Sequence, residues 1–96
     1  MDMTETLTRE TTVAVTAQQV SSNLAGEEVI LQLESGIYYG LDDVGTFIWE
    51  MVQQPHTVGQ ICDAICAEYE VQPAQCFQDT AQFLSGLIDA QLVEVR

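Results

Sequence analysis

Along "LQLESGIYYGLDDVGTFIWEM" (Leu31 to Met51) the hydrophobic period changes partway. Apolar residues alternate up to Leu41, then recur three and four apart from Val44 onward. Alternation marks a strand and a 3.6-residue period marks a helix, so a hairpin runs directly into a helix here. In "EEVILQL" the apolar set is Val29, Leu31 and Leu33; in "IYYGL" it is Ile37, Tyr39 and Leu41. A loop of Glu34, Ser35 and Gly36 sets Leu33 opposite Ile37, Leu31 opposite Tyr39 and Val29 opposite Leu41, so the two apolar faces coincide. Gly36 then takes the left-handed position that closes such a loop.

Upstream, "TVAVTA" (Thr12 to Ala17) alternates and is rich in β-branched residues, which predicts a first strand. "QQVSSNLAGEE" between them reads as a polar connection. Downstream, Asp42 or Asp43 is placed to cap a helix, because a carboxylate there accepts from the free N–H groups of the first turn. Its apolar stripe is Val44, Phe47, Ile48, Met51 and Val52, with Trp49 partly buried beside it. Pro55 ends it. Thr57 caps a second helix carrying Val58, Ile61, Cys62, Ile65, Cys66 and Tyr69. Pro73 opens a third helix, running to about Ala90, and a short extended tail "LVEV" follows. The third helix carries two adjacent stripes: Cys76, Thr80, Phe83 and Leu87, and Phe77, Ala81, Leu84 and Ile88. Together they cover more circumference than one neighbour requires, so the helix is central, borders an open groove, or both. The expected fold is α+β: a small winged-helix-like domain, a three-stranded antiparallel sheet followed by three helices. Residues 1–10 form a flexible N-terminal tail and residues 11–96 the domain.

Charge narrows the functions open to this chain. Of 96 residues, 15 are acidic and two basic, a net charge of −13. The cations are Arg9 and Arg96, so nothing between them could replace phosphate counterions. Nucleic acid and anionic membrane are excluded as direct partners, and a basic or neutral partner is favoured. The chain has no apolar run of membrane-spanning length and no signal-peptide pattern at its start, which predicts a cytoplasmic protein. Three cysteines without an export signal argue against a disulfide framework.

Catalytic chemistry finds no foothold. The single His56 sits in the polar turn "QQPHT", and no Gly-rich phosphate loop occurs. Cys62 and Cys66, one turn apart, could ligate a metal with His56 or Cys76, but both lie on an apolar stripe, where Cys behaves as a small hydrophobe. Core residues are therefore expected, with no metal and no cofactor. The Asp42-Asp43 pair is a helix cap rather than an acid/base pair.

Three runs, "LESGIYYGLDDVGTFIWEMV", "TVGQICDAICAEYEV" and "FQDTAQFLSGLIDAQLVE", resemble the PqqD-like family, whose domains recognise precursor peptides of ribosomally made, post-translationally modified natural products. The resemblance covers about residues 12 to 95. It is carried by Gly36, Tyr38 and Leu41 of the hairpin, Gly45, Ile48 and Trp49 of the first helix, and Asp79, Phe83 and Leu87 of the third. The sequence lacks the "PEG"-like turn of the protein of pyrroloquinoline quinone synthesis and looks closer to the freestanding recognition proteins of lasso-peptide clusters, which work with a separate leader peptidase and a cyclase.

This resemblance implies a non-catalytic binder that takes the leader segment of a precursor peptide as an added strand on the hairpin's outer edge, beside the third helix. The implied peptide-binding residues are Ile37, Tyr38, Tyr39, Gly40 and Leu41 on the edge, and Asp79, Thr80, Phe83 and Leu87 on the helix. Its implied partners are the leader and a leader peptidase or other modifying enzyme, with the protein a monomer or weak homodimer. Competing readings are an acidic winged-helix-like regulator that binds a basic protein surface, a homodimerising structural domain, and the recognition protein of pyrroloquinoline quinone synthesis.

Overall fold

The protein is described here from a computed structural model covering residues 7–96. In chain order the elements are β1 (Thr12–Val15), β2 (Gln19–Leu24), β3 (Glu27–Gln32), β4 (Tyr38–Leu41), α1 (Asp43–Met51), β5 (His56–Thr57), α2 (Val58–Glu68), α3 (Pro73–Asp89) and β6 (Val93–Val95). The first six residues of the expected N-terminal tail lie outside the described residues. Of the remainder, Leu7 rests against the core and Arg9 pairs with both oxygens of Asp63 at 3.0 and 3.1 Å. The Arg9 carbonyl accepts from the Gly59 N–H at 2.9 Å.

The strands form two three-stranded antiparallel sheets, ordered β5-β1-β6 and β2-β3-β4. This refines the expected single sheet in two places. β1 does not join the hairpin; it lies between β5 and β6, the latter being the extended tail anticipated from "LVEV". The segment read as a polar connection is instead β2, joined to β3 through Ala25 and Gly26. Both residues have positive φ (57° and 89°), the requirement of a two-residue hairpin whose twist matches its strands.

The β3–β4 register also differs from the expected one by a residue. Glu28 faces Leu41, Val29 faces Gly40, Ile30 faces Tyr39 and Leu31 faces Tyr38. The turn explains the difference. Gln32 N–H donates to the Ile37 carbonyl at 3.0 Å, and the Gln32 carbonyl accepts from Gly36 N–H at 2.8 Å. The Gln32 side-chain Oε1 also accepts from the N–H groups of Glu34 and Ser35 at 2.6 and 2.8 Å. Gln32 thereby closes a loop one residue longer than expected, with Gly36 at φ 75° in the left-handed position assigned to it. Shifting the register by one turns the strand over, so Glu28, Ile30 and Gln32 face inward.

The helices follow their stripes closely. Asp42 Oδ1 caps α1 by accepting from Gly45 N–H at 2.8 Å, and Thr57 with Gln60 forms a reciprocal capping box on α2. Pro73 occupies the first turn of α3. Trp49, expected to be partly buried, is buried almost completely, its indole N–H donating to Ser21 Oγ at 3.2 Å. The core gathers Val13, Ile30, Ile48, Val52, Ile61, Leu84 and Leu92 between the sheets and the helices. α3 packs chiefly on α2 and reaches β6.

Candidate peptide-binding groove

β4 is a terminal strand of its sheet, and its free edge is defined by alternation. Because Gln32 and Ile37 exchange a ladder bond, Tyr39 and Leu41 also point their backbone groups at β3. Tyr38 and Gly40 therefore direct their N–H and C=O groups away from the sheet. An added Cβ at Gly40 would meet nothing within 4 Å, so the edge is open there.

This strand ends at an apolar groove. One cavity of about 170 Å³ is lined by Asp42, Val44, Gly45, Ile48, Asp79, Thr80 and Phe83. A second of about 200 Å³ lies between α2 and α3, lined by Val44, Ile65, Tyr69, Val71, Gln75, Cys76, Asp79 and Thr80. Val44, Asp79 and Thr80 belong to both, so the two form one depression along the first half of α3. Gly45 makes the junction with β4 possible: a Cβ there would lie 3.1 Å from Phe83 Cζ and 3.2 Å from Leu41 Cβ. The Phe83 ring thus reaches across α1 to the end of β4.

The residues singled out in the sequence divide clearly. Asp79 is exposed at the groove and accepts from Gln75 Nε2 at 2.9 Å; Thr80 is buried in its floor and Phe83 half-buried in its wall. Tyr38 and Gly40 lie on the open edge, and Ile37 is exposed in the preceding turn. Tyr39 faces inward and Leu41 is buried in the core, so each offers the edge only its place in the strand. Leu87 is 6% exposed and belongs to the core, lining neither cavity. Val44, Tyr69 and Val71 were missed. Spacing assigns Val44 and Tyr69 to helix packing, but the apolar Val71 in the α2–α3 connection is a legible signal.

The three cysteines are free: of the two expected in the core, Cys62 is buried and Cys66 is half-buried against it, and Cys76 is buried as well. Burial raises the Cys62 thiol above its ordinary pKa, while hydrogen bonds from Thr80 and Cys76 act against that rise. Among the described residues no three His, Cys, Asp or Glu side chains converge on a point that could hold a metal ion. No helix among them is long and apolar enough to cross a membrane.

An open strand edge beside a helix-lined apolar groove, on a small winged-helix-like α+β domain, defines a scaffold suited to taking an extended chain. Residues 27–93 match the family model described as coenzyme PQQ synthesis protein D, and the chain belongs to this PqqD family. Two solved structures share its fold. One, described as TbiB1 in complex with the TbiA(beta) leader peptide, is 37% identical, covers 84% of this chain and 94% of its own, and superposes with a TM-score of 0.80. The other, a lasso peptide synthetase B1 complexed with the leader peptide, is 20% identical, covers 85% and 96%, and has a TM-score of 0.77. No curated protein matches the sequence.

Proposed function

We propose that this protein is a non-catalytic recognition module that binds the leader segment of a ribosomally made precursor peptide, of the lasso-peptide type, in the cytoplasm. The observation that carries this reading is the free edge of β4 running into the Val44–Asp79–Thr80 groove. An extended peptide would add a fourth strand, drawing sequence-tolerant hydrogen bonds from Tyr38 and Gly40 and selectivity from side chains set into the groove. The 37%-identical structure described with a leader peptide supports the same ligand class. The polar groups of the groove (Gln75, Asp79 and Thr80) suit holding a peptide rather than cleaving one.

The test is an isotope-labelled amide titration with synthetic leader peptide from the precursor gene beside this one. Saturable shifts are expected at Tyr38–Leu41 and at Gln75–Phe83. Shifts confined to β1, β5 and β6 would reject the reading.

The module delivers the bound peptide to a leader peptidase or other modifying enzyme, and the outer face of β2-β3-β4 is suited to that partner. Val20, Leu31 and Tyr38 line up across the three strands, and Val20, Leu24 and Tyr38 are 53, 58 and 69% exposed. A bare apolar sheet face on a chain of net charge −13 fits a partner with an apolar patch and a cationic rim. Leu24→Asp is expected to leave leader affinity unchanged and to slow leader cleavage by the peptidase about tenfold. Unchanged cleavage would place the partner elsewhere.

A further inference from the structure

We propose that Cys66 and Cys76 form a reversible disulfide that ties α2 to α3 and fixes one wall of the groove. The proposal rests on the leader-binding reading only for its consequence, not for the bond itself. Cys62 and Cys66 stand one turn apart on the face of α2 that meets α3. Cys76 donates its S–H to the Cys62 carbonyl at 3.8 Å. Within a helix that carbonyl lies beside the N–H four residues on, which belongs to Cys66. The Cys76 sulfur is therefore lodged against the turn that carries Cys66. The thiols sense each other accordingly: burial raises the Cys66 pKa, and hydrogen bonding to Cys76 raises it further.

Accessibility selects the pair. Cys62 and Cys76 are 2 and 5% exposed, whereas Cys66 is half-buried and open to a small oxidant. With hydrogen peroxide, the Cys66 thiolate attacks one oxygen, the O–O bond breaks and hydroxide leaves; it takes up the proton the thiol had lost, so a sulfenic acid and one water result. The Cys76 thiol then displaces the sulfenic hydroxyl as a second water, forming the S–S bond.

The consequence follows from where Cys76 sits. It lines the cavity between α2 and α3 together with Ile65, Tyr69, Gln75 and Asp79. A disulfide holds its Cβ atoms about 3.8 Å apart. Cys66 does not itself line the cavity, so a bond to it fixes the Cys76 wall against α2, and an apolar leader side chain loses the adjustment it needs to enter.

The experiment treats the purified protein with azodicarboxamide, which takes up the two thiol hydrogens as it becomes the hydrazine. Cross-links are mapped by mass spectrometry of unreduced peptides, and affinity for fluorescent leader peptide is measured before and after. A Cys66–Cys76 bond is expected, with affinity falling about tenfold and returning on treatment with dithiothreitol. Cys62→Ser should behave like the native protein, and Cys66→Ser should keep full affinity after oxidation. A Cys62–Cys76 bond, a bond between molecules, or full affinity in the Cys66–Cys76 form would overturn the proposal. Should the reduced protein bind no leader, the function fails; mapping and the melting temperature of the oxidised form still decide the bond.

Discussion

Phe83→Ala is expected to weaken leader binding about thirtyfold. The ring stands where α3, α1 and the end of β4 converge, 3.1 Å from the position a Gly45 Cβ would take. Truncating an aromatic anchor at the centre of an interface costs ~2 kcal/mol or more, which corresponds to that factor. Phe83 is also packed against the core, so part of the loss could come through folding. Melting curves separate the two, because a folding defect lowers the melting temperature of the free protein while a lost anchor lowers only its rise on adding leader. Asp79→Asn provides the electrostatic comparison. Asp79 is exposed and bonded to Gln75, so its loss should cost under about 1 kcal/mol and matter less as salt rises, if a leader cation sits beside it. Calorimetry on both variants at two salt concentrations is the measurement. Native affinity in a stably folded Phe83→Ala protein would remove Phe83 from the site and turn attention to Val44, Tyr69 and Val71.

The sequence disclosed the helices far better than the sheets, for one physical reason. Helix α2 buries a single apolar face, so Val58, Ile61, Cys62 and Ile65 are read correctly from spacing alone. The sheet β2-β3-β4 breaks that rule. Its uncovered face carries Val20, Leu24 and Leu31, and its covered face carries Ser21, Asn23, Glu28 and Gln32 alongside Ile30. These polar side chains meet partners there: Ser21 receives the Trp49 indole N–H, Asn23 donates to Glu28 at 3.4 Å, and Gln32 closes the turn. Apolar character therefore points the wrong way along β2 and β3. The same inversion hid β2 as a polar connection and displaced the hairpin register by one. Where a sheet leaves its apolar face uncovered, hydrophobicity marks the exposed surface rather than the core.

Within the groove, Asp79, Thr80 and Phe83 were legible because helical spacing brings them to one side. Leu87 continues that spacing, yet it lies deeper along α3, where the helix meets the core. The position of β1 was not legible at all. It depends on pairing with Val93–Val95, some eighty positions away, and no local pattern encodes such a distance.

Gly40→Pro is expected to abolish measurable leader binding while leaving the domain folded. Gly40 lies opposite Val29 in a pair that exchanges no ladder bonds, so its N–H faces the free edge. Proline removes that donor and sets its ring in the path of an incoming strand, yet breaks no bond to β3. The site has room, since nothing approaches within 4 Å of a Cβ there. Two controls make the result specific. Gly40→Ala keeps the N–H and should bind nearly as the native protein does. A proline at Tyr39, whose N–H serves the β3 ladder by the same alternation, should instead lower the melting temperature. Affinity is read by calorimetry and folding by far-ultraviolet dichroism of each variant. If a folded Gly40→Pro protein takes the leader with native affinity, the peptide does not add to β4, and the groove along α3 must hold it without the strand.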